Sequence, residues 1–144
     1  MNETTRTIDL LNQLLAIIYR SFPIYLADAS PWTREGDAVA ADTLKNIVLD
    51  QQASALRIVE MILQRGGRFE SGEYPMEFTD THFLSLDFLL TELLRYQRRD
   101  VAAIERIVTA LAGHREAREL AEETLGGERA HLEAIEALVG QPAL

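Results

Sequence analysis

The chain has 144 residues, a net charge of −9 and 47% apolar residues, which fits one folded domain, residues 1–144, and excludes a disordered polyampholyte. It has no cysteine, so disulfides, thiolate metal sites and cysteine nucleophiles are excluded, and its pI near 4.8 argues against nucleic acid as a partner. No apolar run approaches the ~20 residues of a membrane span and no signal-peptide core follows the N-terminus, so a soluble, cytoplasmic protein with no membrane partner is expected.

Apolar positions recur with helical period throughout, and the glycines and prolines divide them into four helices. Helix one is expected over Thr5–Ala29, with Leu11, Leu15, Ile18, Phe22 and Tyr25 inward and a bend at Pro23. Helix two is expected over Glu35–Arg65, with a seam of Leu44, Val48, Gln51, Ala55, Ile58 and Ile62, closed by Gly66. Helix three is expected over Asp80–Ala112, capped by Thr79 or Asp80, with a seam including Leu86, Leu90, Leu93, Gln97, Ile104, Val108 and Leu111. Helix four is expected over His114–Leu138, with Ala117, Ala121, Thr124, Glu128, His131 and Ile135 inward. The fold class is therefore all-α, a four-helix bundle.

The connections constrain topology. Short links make helices one and two, and three and four, antiparallel neighbours. The Gly66–Phe78 link is long enough to run the length of the bundle, and a crossover there makes helices two and three parallel.

Polar residues on the inward seams carry the functional information: Gln51, Gln97, Glu128 and His131. Glu128-x-x-His131 places a carboxylate and an imidazole on one helical face, an arrangement by which bundles ligate iron or manganese. The same residues can instead satisfy each other and the two glutamines. Gly126-Gly127 marks either a kink or a close backbone approach. His82 and His114 read as surface or capping residues, Met61 and Met76 as core filler, and Arg95, Arg98 and Arg99 as a solvated face paired to acidic neighbours.

Three stretches resemble the ferritin-like superfamily, bacterioferritins in particular: Leu11–Ala16 with Tyr25, Gln51–Ala55 through Leu63 and Gly67, and Glu128–His131 with Leu132 and Ile135. The resemblance implies the ferritin-like crossover bundle. It also implies a di-iron site of one Glu from helix one, Glu-x-x-His from helix two, one Glu from helix three and Glu-x-x-His from helix four. At those positions this chain has Ile18, then Gln51 and Ser54, then Leu93 (or Glu92 or Arg95 in a shifted register). Only Glu128 and His131 match. The expected function is therefore a non-catalytic bundle acting through assembly or partner binding, with no cofactor. The alternative is a metal-binding protein, an iron store or oxidase, in which Glu128 and His131, with Gln51 or Glu92, hold iron or another divalent metal. Tyr19, Val59, Phe83, Phe88 and Leu89 lie off the seam and point to a homodimer, or else to cover for the crossover.

Overall fold

The computed structural model describes residues 2–29, 38–81 and 86–140, and every regular element among them is helical. Five α-helices build the bundle: α1 (Glu3–Tyr19), α2 (Phe22–Ala29), α3 (Ala38–Gln64), α4 (Leu86–Ala110) and α5 (Arg115–Val139). The predicted helix one is thus two helices, with the break at Arg20–Ser21, just before Pro23. Proline is tolerated in the first turn of a helix, where no intrahelical partner awaits its missing N–H, so the chain restarts ahead of it. Ser21 serves the restart: its hydroxyl accepts from the Ile24 amide at 3.4 Å and its carbonyl from the Tyr25 amide at 3.1 Å.

Helix three also begins later than its pattern suggests. Met76–Thr81 is a 3₁₀ turn and α4 starts at Leu86, so neither Thr79 nor Asp80 caps it; Thr79 Oγ1 instead donates to the Met76 carbonyl. The expected start of helix two at Glu35, and the residues His82 and Phe83, lie outside the described residues.

Two apolar clusters fill the interior. One joins Leu11, Leu15 and Ile18 of α1 to Ile58 and Ile62 of α3, Ile104 and Ile107 of α4, Leu111 in the turn after it, and Ala117 and Leu125 of α5. The other joins Phe22 and Leu26 of α2 to Leu44 and Val48 of α3, Leu89 and Leu93 of α4, and Ile135 of α5. The N-terminal halves of α3 and α4 share one cluster and their C-terminal halves the other, so these helices are parallel, as the link length requires. Between them the chain runs along helix one. Asn12 accepts from the Glu70 amide at 2.6 Å and donates to the Arg68 carbonyl at 2.9 Å, and Arg20 Nε donates to the Gly72 carbonyl at 2.9 Å. Gly66 (φ +79°) ends α3 in the left-handed region. Gly67 then lies so close to α1 that a Cβ there would sit 2.8 Å from Ile8. The far end is sealed by Phe22, Phe78 and Tyr96, whose ring centroids lie 4.8–5.0 Å apart.

Leu89 is in the core rather than on a second face, being 1% exposed, and Val59 is half-buried against the first cluster. Tyr19 and Phe88 are exposed. Glu3–Ala27 is long and apolar enough to span a membrane by length and composition. Half of its apolar window is buried inside the bundle, however, as expected of a core helix.

Candidate functional site

Between the two apolar clusters lies one polar layer to which every strut of the bundle contributes. Ser21 falls between Ile18 and Phe22, Gln51 between Val48 and Ala55, Gln97 between Leu93 and Val101, and Glu128 between Leu125 and Ile135. All four are at least 97% buried. Buried polar groups must find partners, and these find one another, with Gln97 Oε1 left unpaired. Ser21 Oγ donates to Gln51 Oε1 at 2.7 Å, and Gln51 Nε2 donates to Glu128 Oε1 at 2.7 Å. Gln97 Nε2 donates to Glu128 Oε2 at 3.2 Å and to its backbone carbonyl at 3.0 Å.

His131, one turn after Glu128 on α5, completes the layer. Its Nδ1 lies 2.5 Å from Glu128 Oε2 and its Nε2 lies 3.1 Å from Asp50 Oδ2 on α3. Carboxylate oxygens only accept, so this placement gives each ring nitrogen an acceptor and favours the protonated imidazolium form. Burial works against that charge, but the hydrogen bond and charge of Glu128, joined by those of Asp50, raise the His131 pKa above its usual value. One turn beyond Gln97, Asp100 is shifted too. Burial, with a contribution from Glu128, pushes its carboxyl up to about 7 although Arg99 opposes the shift. A cleft of about 150 Å³ between α3 and α5 reaches this layer, lined by Asp50, Ser54, Arg57, Glu123, Glu128 and His131, with Gly127 in its wall.

No family model and no curated protein matches this sequence. Among solved structures, a ferritin-like, diiron-carboxylate protein from Bacillus anthracis str. Ames superposes with a TM-score of 0.80 at 19% identity. The match covers 97% of this chain and 100% of that one. The chain has the ferritin-like fold.

The donor set does not fit the di-iron centre associated with that fold. A pair of divalent cations requires several anionic oxygens. Here Ile18 is core, Leu93 is core, and Ser54 Oγ is in contact with Arg57 at 3.4 Å. Gln51 and Gln97 turn their amide N–H groups toward Glu128, and Gln51 Oε1 is taken by Ser21. No group of three or more His, Asp or Glu side chains among the described residues is placed to hold a metal. Of the four candidate ligands, the fold brings Gln51, Glu128 and His131 together. Glu92 does not join them: its carboxylate pairs with Arg95 at 2.6 Å.

Ser21, Asp50 and Asp100 belong to the site and are not apparent from the sequence pattern. Ser21 is hidden because the apolar period runs across the helix break. Asp50 sits at an exposed position and reaches inward only through its tip. Its adjacency to Gln51 is the one available signal. Gly126 and Gly127 mark no close approach, since a Cβ at either would meet nothing within 4 Å, and α5 runs through them unbroken. His114 holds the N-cap position of α5 without a side-chain cap bond. Arg95, Arg98 and Arg99 pair with Glu92, Glu136 and Glu77, a solvated face as expected.

Proposed function

We propose that this chain is a non-catalytic ferritin-like bundle, working in the cytoplasm through assembly or partner binding, whose polar layer serves the fold rather than redox chemistry. One observation carries this reading. The His131 ring lies between the carboxylates of Glu128 and Asp50, a place that favours its cationic form, and the seam amides of Gln51 and Gln97 donate to Glu128 Oε1 and Oε2. Charge that two metals would neutralise in a di-iron protein is neutralised here by the chain itself.

A second reading is supported by the cleft, which gives a small cation a path to Glu128 and His131. In that reading one divalent metal displaces the protons of His131. Two measurements separate them. Protein purified without chelators is assayed for iron, manganese and zinc, and ferrous iron is then added in air. The expected result is metal well below one equivalent and no protein-dependent burst of oxidation. Saturable oxidation at about two irons per chain, abolished by Glu128→Ala, establishes the metalloprotein instead.

A further inference from the structure

Gln97 is held from one side. Its Nε2 donates to Glu128 Oε2 and to the Glu128 carbonyl, both acceptors, so the amide cannot turn over without setting Oε1 against them. That orientation leaves Oε1 without a donor among the described residues, although Gln97 is only 1% exposed. An unpaired buried acceptor is costly, so this atom calls for a partner. Asp100 follows three residues later, on the seam Leu93–Gln97–Asp100–Ile104, whose spacing of four, three and four keeps one inward face of α4. Its carboxyl accepts no hydrogen bond from the described residues, and Arg99 Nε lies 3.9 Å away, too far for one. An orphaned acceptor and an unengaged carboxyl thus stand one helical turn apart.

We propose that Asp100 in its acid form donates its O–H to Gln97 Oε1, a proton-dependent latch on the polar layer. With the proton in place, the amide is paired at both ends. Without it, a carboxylate and an amide oxygen confront each other, both acceptors. Turning the amide to serve Asp100 then withdraws both of its N–H bonds from Glu128, the residue that engages His131. The ionisation of Asp100 is thereby coupled to the grip on Glu128. The surrounding charges favour the acid form. Burial comes first, Glu128 of α5 adds to it, and Arg99, already held by Glu77 at 3.0 Å, opposes them, which leaves the carboxyl at about 7. The other charged groups nearby are engaged elsewhere: His131 lies between Glu128 and Asp50 of α3, and Arg129 of α5 pairs with Glu105 at 3.2 Å. The break between α1 and α2 brings the uncharged Ser21 to the layer. At neutral pH, where an ordinary aspartate is ionised, much of Asp100 therefore keeps its proton. The latch goes beyond the assembly reading and does not depend on it.

NMR titration of the full chain tests this, with the Asp100 carboxyl signal assigned by its loss in Asp100→Asn. In the wild type, the Asp100 carboxyl and the Gln97 side-chain amide are expected to shift together through one midpoint near pH 7. In Asp100→Asn, whose amide can donate at every pH, the Gln97 signals are expected to lose that step. His131 ring signals, followed in the same samples, identify any step that belongs to the imidazole instead. Gln97→Met then keeps the length of the side chain and removes the acceptor. Loss of a hydrogen bond to the acid form is expected to lower the Asp100 midpoint by about one pH unit, about tenfold in its ionisation constant. A carboxyl raised by burial alone keeps or raises its midpoint beside the more apolar side chain. An unchanged or raised midpoint in Gln97→Met overturns the latch. So do wild-type Gln97 signals that ignore the Asp100 step, a result that requires no variant to fold.

Discussion

Asp100 is the residue whose ionisation conflicts most directly with its place. Its carboxyl is 14% exposed, it senses Glu128, and Arg99 at 3.9 Å offsets only part of the penalty. A carboxyl whose folded pKa is raised from 3.8 to about 7 contributes stability below pH 3.8, and that contribution is lost as pH rises to about 7. Asp100→Asn keeps the shape without the charge. At pH 8 the variant is expected to be more stable than wild type by a few kcal/mol, read as a melting temperature several degrees higher. Below pH 4 the two should melt together; an advantage independent of pH would mean that ionisation of Asp100 is not its source. His131 adds a dependence of the same sign, since its raised pKa gives a contribution complete below pH 6.5 and lost above the folded value.

At the scale of elements, the crossover and the two antiparallel pairs were legible because link lengths and helix lengths are simple distances. The seams were legible too: nearly every inward position of helix four is buried, Glu128 and His131 included. The break in helix one was not, because the apolar period continues through Arg20–Ser21 and only the restart ahead of Pro23 interrupts the backbone. The start of α4 was obscured similarly, since Met76–Thr81 folds as a 3₁₀ turn against aromatic partners far away in sequence. Those contacts are tertiary, and no local pattern encodes them. The crossover itself depends on a close approach. Gly67→Ala would bring a methyl group 2.8 Å from two carbons of Ile8 and is expected to cost about 1–3 kcal/mol. Combined with Ile8→Ala the same change should cost much less, because the opposing atoms are gone. Strictly additive losses in denaturant unfolding would show that Ile8 is not what Gly67 accommodates.

Across the whole molecule, one polar layer separates two apolar clusters, and its energetics are those of a network rather than of its members. Glu128 accepts only from donors, so Glu128→Gln turns an amide N–H toward another N–H and weakens the clamp on His131. This single change is expected to destabilise the bundle by about 1–3 kcal/mol, as are Gln51→Leu and Gln97→Leu, each of which strips Glu128 of a donor. Replacing the layer at once, with Ser21→Ala and leucine at positions 51, 97, 128 and 131, removes Glu128, His131 and both buried amides together and leaves Asp100 without the Glu128 charge beside it. Asp50, its side chain 71% exposed, is left facing water. Buried ion networks exchanged for packed apolar residues of similar volume commonly break even or gain about 1–4 kcal/mol. The five-fold variant is therefore expected to unfold at higher denaturant than any of the single variants and at or above the wild type. If it proves less stable than the worst single change, the layer contributes net stability and the bundle needs its polar core to fold. If it is stable and still associates as the wild type does, the layer is separable from assembly, and the working surface of this chain lies outside the region where ferritin-like enzymes place their metals.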